Sequence, residues 1–222
     1  LILFYLIMAQ MVMVMLPRAL VCIRRIRDVL ELQPEIRDGG VQLKAQDSDD
    51  AVIRFRNVRF RFADADEDTL HSLDFSCMRG QTTAIIGSTG SGKSTIAKLI
   101  LRFHDVTDGA VLLNGTDIRD IPQEQLRSRI GYVPGEFVYY PRKKLGAIVD
   151  VTRHFYPNGD EEAYRRCLER FSLEEGKTVS QLSAGMKVKF ALTLALSHRA
   201  ELLLLDEPTS GLDPVSREEL LE

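Results

Sequence analysis

Gly87-Ser88-Thr89-Gly90-Ser91-Gly92-Lys93-Ser94-Thr95 fits the pattern G-x-x-x-x-G-K-[ST], and its flanks give the pattern physical meaning. The apolar Ala84-Ile85-Ile86 before it predicts a buried strand. Ile96, Ala97, Leu99, Ile100 and Phe103 after it have the spacing of an amphipathic helix. Glycines let such a loop wrap a polyphosphate with its N–H groups aimed inward, at the positive end of the following helix. Residues 87–95 are therefore the expected nucleotide-binding loop. Lys93 is expected to reach the β- and γ-phosphates, and the Ser94 hydroxyl to ligate Mg²⁺. The pattern implies a nucleoside triphosphate as ligand.

Working toward the N-terminus, the composition changes in kind. Leu1–Leu16 is almost wholly apolar and Met-rich, interrupted by Gln10. It is slightly short of the ~20 apolar residues of a membrane-spanning helix. Arg18, Arg24, Arg25 and Arg27 follow as a cytoplasmic-type cationic flank. Leu16, Leu20, Ile23, Ile26 and Leu30 carry the helical stripe onward. Residues 1–34 thus read as the end of a transmembrane helix running into a cytosolic neck, with a buried soluble helix as the alternative. A signal peptide does not fit, because there is neither a basic leader nor a small-residue cleavage site. Residues 35–50, with Gly39-Gly40 and Asp47-Ser48-Asp49-Asp50, read as a linker. Residues 51–222 read as one soluble domain that continues past the last residue. A formal net charge of −3 gives no electrostatic basis for a nucleic-acid partner. Cys22, Cys77 and Cys167 have no metal-ligand spacing and read as reduced thiols.

Within that domain, Ile53, Phe55, Val58, Phe60 and Phe62 alternate with arginines through a slip at Asn57, predicting strand with a bulge. Gly109–Leu113 followed by Asn114-Gly115 predicts a strand ending in a tight turn. Asp160–Phe171 has helical spacing, with Tyr164, Cys167, Leu168 and Phe171 on one face. Leu202–Leu205 reads as a central parallel strand covered on both faces. The fold class expected from alternating strands and helices around a phosphate loop is α/β. Ligands of open α/β sheets lie at the carboxyl ends of strands, so Asp206 and Glu207 should face the phosphates. Asp206 is the expected metal carboxylate, and Glu207 the group that polarises the attacking water. Ser183 reads as the N-cap of a helix carrying Phe190, Leu194 and Ala195.

Together, GSTGSGKST, LSAGM (182–186), LLLLDEP (202–208) and SGLDP (210–214) resemble the nucleotide-binding domain of ABC transporters, over about residues 52–222. The resemblance implies a P-loop NTPase fold and Mg²⁺-ATP hydrolysis. It also implies head-to-tail dimerisation with a second such domain. Ser183 and Gly185 would then contact a γ-phosphate in trans, and Asp213 would lie at the dimer interface. Phe62 occupies the family's adenine-stacking position, with an ordinary core role as the alternative. Residues 1–34, with MVMVMLPRA and RRIRDVLELQPEI, resemble the last transmembrane helix and neck of exporter-type half-transporters. LLNGTDIRDI and LRSRIGYVP continue that resemblance to residue 133. This implies a transmembrane domain and membrane lipid as partners, a membrane location, and ATP-driven export.

The family pattern departs at Gly135 and Glu136, where exporters carry a Gln. Glu174-Glu175-Gly176-Lys177 is a poor match to the exporter segment before the signature. Beyond Gly135 the chain is more similar to ATPase subunits encoded apart from their membrane partners. The family's switch histidine is expected beyond Glu222, making the domain C-terminally truncated on this reading, and His198 cannot replace it. Two alternatives accompany the exporter reading: a nucleotide-gated dimerising module with impaired hydrolysis, and a soluble ABC ATPase without transport function.

Overall fold

A computed structural model describes residues 1–34, 36–41, 51–135, 137, 139–156, 159–210, 212 and 217–218. They fall into two compact units, Leu1–Arg37 and Asp38–Glu222. The first is essentially one helix, α1 (Ile2–Leu30), with Pro17 inside it and no buried residue. Its best 18-residue window has a mean hydropathy of 2.1, so by length and composition α1 can cross a membrane.

The second unit begins within the stretch read as linker. Val41 donates its N–H to the Asp120 carbonyl at 2.8 Å, and Asp38 Oδ1 accepts from the Gln123 N–H at 2.7 Å. Its elements then run β1 (Ala51–Phe60), β2 (Leu70–Met78), α2 (Lys93–Ile100), β3 (Asp108–Leu113), β4 (Thr116–Asp117) and α3 (Gln123–Ser128). They continue with β5 (Ile130–Val133), α4 (Leu145–Phe155), α5 (Glu161–Arg170), a 3₁₀ turn (Val179–Gln181), α6 (Ala184–Leu196) and β6 (Leu202–Leu205).

One sheet has the order β2-β1-β3-β4 with antiparallel pairings, and the other pairs β5 with β6 in parallel. The expected bulge in β1 is present: its register with β2 shifts between Phe55 and Val58, and Asn57 has φ 46°. Ile53, Phe55, Val58 and Phe60 point from β1 into the core that also takes Ile96, Leu99 and Ile100 of α2. Asn114-Gly115 is a two-residue turn between β3 and β4, with positive φ at both positions as a type I′ hairpin requires. A second core joins α4, α5 and α6 through Leu145, Ile148, Tyr164, Phe190 and Leu194. Asp160 caps α5, its carboxylate accepting from the Ala163 N–H, and Tyr164 is buried as the helical spacing predicts.

Three expectations change. No strand forms at Ala84-Ile85-Ile86, where Ile86 is 93% exposed. A short extended run is held by cross-strand bonds, and this one has no ladder partner among the described residues. In consequence β6 is not covered on both faces, and Leu203 and Leu205 stay exposed. Finally, α2 ends at Ile100, leaving Phe103 outside the helix and exposed.

Candidate active site

The phosphate loop is shaped by two glycines in the left-handed region, Gly90 (φ 83°) and Gly92 (φ 90°). Gly92 is the N-cap of α2, and a Cβ there would come 2.7 Å from Leu70 Cδ2. The start of β2 therefore packs directly on the loop, which puts the neighbouring end of β1, at Phe60, on the same side of the fold.

Lys93 and Ser94 open α2, and each reaches a carboxylate at the end of β6. Ser94 Oγ donates to Asp206 Oδ1 at 3.1 Å, joining residues 112 apart in the chain. Lys93 Nζ stands 3.6 Å from Glu207 Oε1 and donates to the carbonyls of Gly87 and Ser88, both at 2.9 Å. The Lys93–Glu207 pair is partly exposed, so solvent holds its contribution to about 0.2–1 kcal/mol. An incoming triphosphate can displace it. Asp206 is anchored by its own N–H, which donates to the Val133 carbonyl at 3.0 Å. Tyr132, on β5 opposite Leu204, has its hydroxyl pKa raised by burial and next by the Asp206 charge.

Glu207 adopts φ 48°, a left-handed conformation that costs a non-glycine residue on the order of 1–3 kcal/mol. The Ser210 N–H closes a turn onto its carbonyl at 2.9 Å. The carboxylate is thus held in a strained turn directly after the strand that carries Asp206. A cavity of about 610 Å³ runs from this point between the 82–85 segment and β6, with Lys93, Asp206 and Glu207 among its walls.

The other expected residues lie elsewhere. Ser88, Thr89 and Ser91 are exposed on the loop, while Thr95 is buried beneath it. Phe62 is half-buried, edge-on to Phe60 at 4.8 Å and to His104 at 5.4 Å. Ser183 caps α6, its Oγ accepting from the Met186 N–H at 3.2 Å, and it is exposed while Gly185 is buried. Asp213 and Glu136 lie outside the described residues. His198 has its ring nitrogens near the carbonyls of Leu194 (3.0 Å) and Ile130 (3.2 Å), a packing position rather than a catalytic one. Sequence reasoning missed the close approach of Gly135 to the Asp206 backbone. It also missed a buried Asn114 that contacts Glu201 in front of β6. The Asn-Gly turn was the one signal that marked Asn114.

Comparison with known proteins bears on this arrangement. Residues 70–210 match the family model described as "ABC transporter". Human "ATP-binding cassette sub-family B member 6" is 34% identical over 197 residues, covering 84% of this chain and 23% of the relative. The "Multidrug efflux ATP-binding/permease protein" of Mycobacterium bovis is 33% identical over 204 residues, 86% of this chain and 16% of the relative. This chain therefore spans about a quarter or less of those two proteins. Alignments this long cross Gly135, so its front and rear parts both match such proteins. Among solved structures, a bacterial Atm1-family ABC exporter with ATP bound superposes with a TM-score of 0.78 at 27% identity. That match covers 96% of this chain and 39% of the other. An ATP-binding subunit of an ABC transporter gives a TM-score of 0.67 at 28% identity, covering 77% and 72%.

Proposed function

Because this chain belongs to the ABC transporter family, we propose that it couples ATP hydrolysis to export across a membrane, through the site that Lys93, Ser94, Asp206 and Glu207 form. The convergence of those four residues from opposite ends of the domain is the observation that carries the reading. On it, residues 1–34 are the end of a transmembrane helix and neck, 35–50 a linker and 51–222 the ATPase domain, facing the cytoplasm. The efflux protein and the exporter structure among the similar proteins support export as the direction.

In this mechanism the loop N–H groups of 87–95 bind the phosphates, and Lys93 trades the Gly87 and Ser88 carbonyls for phosphate oxygens. Ser94 and Asp206 present a hydroxyl and a carboxylate side by side, a hard-oxygen pair that fits Mg²⁺. The metal would supply charge neutralisation on the β- and γ-phosphates. Glu207, freed from Lys93, orients a water and accepts its proton as the γ-phosphate is attacked. Phe62 stacks on adenine. The α6 N-terminus, with Ser183 and Gly185, closes on the nucleotide of a second domain, with Asp213 at that interface. Closure on ATP and release after hydrolysis would drive the membrane helices.

The test is Glu207→Gln in the full-length protein. Phosphate release should fall about 10²- to 10⁴-fold, the usual weight of a general base, while ATP binding persists. Undiminished turnover would remove Glu207 from the chemistry.

A further inference from the structure

A polar knot holds the end of β6 remote from Asp206. Glu201, the residue before the strand, accepts through Oε2 from Asn114 Nδ2 at 2.9 Å. Through Oε1 it accepts from the Arg129 guanidinium, also at 2.9 Å. The Glu201 N–H donates to the Arg129 carbonyl at 2.8 Å. On its other side, Asn114 Oδ1 accepts from Arg79 Nη2 at 3.0 Å. Asn114 is only 4% exposed, so water cannot easily take over these bonds. Its φ of 48° is fixed by the hairpin turn, and its N–H donates to the Val52 carbonyl at 2.9 Å. The side chain is therefore aimed by the backbone before either partner arrives.

Both chain segments that build the active site depart from this knot. From Arg79 the chain runs through 80–86 into the phosphate loop at Gly87. From Glu201 it runs through the four residues of β6 to Asp206. We propose that Asn114 is a positioning residue: by tying Arg79 to Glu201 it sets the offset between the phosphate loop and the Asp206-Glu207 pair.

An amide suits the position because it accepts from a cation on one side and donates to an anion on the other, and charge-assisted bonds hold length and direction well. The offset matters because Ser94 meets Asp206 at a single 3.1 Å contact. Extended strand transmits an axial slip at Glu201 to its far end with little loss. β5 holds β6 along its length, but no ladder joins β6 to the 80–86 segment among the described residues, so the offset between those two is left to side-chain ties such as this one. The inference rests on the assignment of Asp206 and Glu207 given above.

Asn114→Gly tests it, since glycine keeps the left-handed turn and removes only the amide. In the full-length protein, kcat for ATP should fall about 10- to 100-fold, the scale of a small misplacement of reacting groups. Half-maximal rate should need more Mg²⁺ with ATP affinity little changed, and the melting temperature should fall because buried bonds are lost. A purely structural residue would lower the melting temperature too but leave kcat and the Mg²⁺ dependence of the folded protein at their wild-type values. Asn114→Asp sets a carboxylate against Glu201 and should be equally slow. Adding Glu201→Gln to it restores a donor–acceptor pair and should recover rate. The proposal is overturned by wild-type kcat and Mg²⁺ dependence in Asn114→Gly. It is overturned equally by a double variant no faster than Asn114→Asp alone. Glu207→Gln run in parallel keeps the two readings apart: its undiminished turnover counts against the carboxylate assignment, whereas the clamp is judged on Asn114→Gly.

Discussion

Gly135 stands where a Cβ would come 2.8 Å from the Asp206 carbonyl oxygen, closer than such atoms approach without backbone movement. The ABC exporter pattern has a Gln at this point in the sequence, so restoring Gln looks like a repair. The geometry argues the reverse. Asp206 is held on β5 through its bond to Val133 and meets Ser94 with its side chain, so pushing its carbonyl disturbs both. Gly135→Gln should lower ATP turnover about tenfold or more, consistent with small displacements of reacting groups, and should not raise it. Steady-state phosphate release from the two proteins decides this, and a faster variant would refute the steric argument. At this scale the phosphate loop was legible because its logic is local, two left-handed glycines followed by Lys93 and Ser94. The contact of Asn114 with Glu201 was not, because 87 residues separate two side chains of common type.

At the scale of elements, helices were easier to read than strands. The spacing of α5 and the cap of α6 are written in consecutive residues, so Ser183 could be assigned from sequence, while Asp160, read as the first helical residue, is the cap of α5. A strand depends on a partner, and nothing in Ala84-Ile85-Ile86 encodes whether β6 will pair with it. The Asp160 cap also gives α5 a pH signature. Its carboxyl pKa is lowered, chiefly by the Ala163 N–H bond and next by the Arg199 charge. A depressed folded-state pKa means the charged form is the stabilising one. Its contribution is present above the unfolded carboxylate pKa of about 3.9 and is lost as pH falls through the lower folded value. Melting curves of the chain and of Asp160→Ala should therefore differ by a constant amount near neutral pH and converge in the acid range. A gap that persists unchanged into acid would mean the charge plays no part in the cap.

For the whole molecule, the decisive contrast is between a unit that buries its apolar residues and one that buries none. In Asp38–Glu222 cores form around side chains such as Ile53, Phe55, Leu99 and Phe190, whereas the Leu1–Arg37 helix leaves Leu3, Leu6, Val12, Leu16, Leu20 and Ile23 more than half exposed. Each such side chain forgoes roughly 1.5–3 kcal/mol of burial in water, a penalty that a lipid environment removes. The helix is 29 residues long and a bilayer core takes about 20, which leaves Arg24, Arg25 and Arg27 to emerge at the surface. Expressed in cells, the chain should stay with the membrane pellet through carbonate extraction. Removing residues 1–37 should release the remaining unit into the aqueous fraction, because its own cores stay intact. Carbonate release of the uncut chain would mean that α1 is covered by protein instead of lipid, and the membrane assignment would fall while the ATP site stood unchanged.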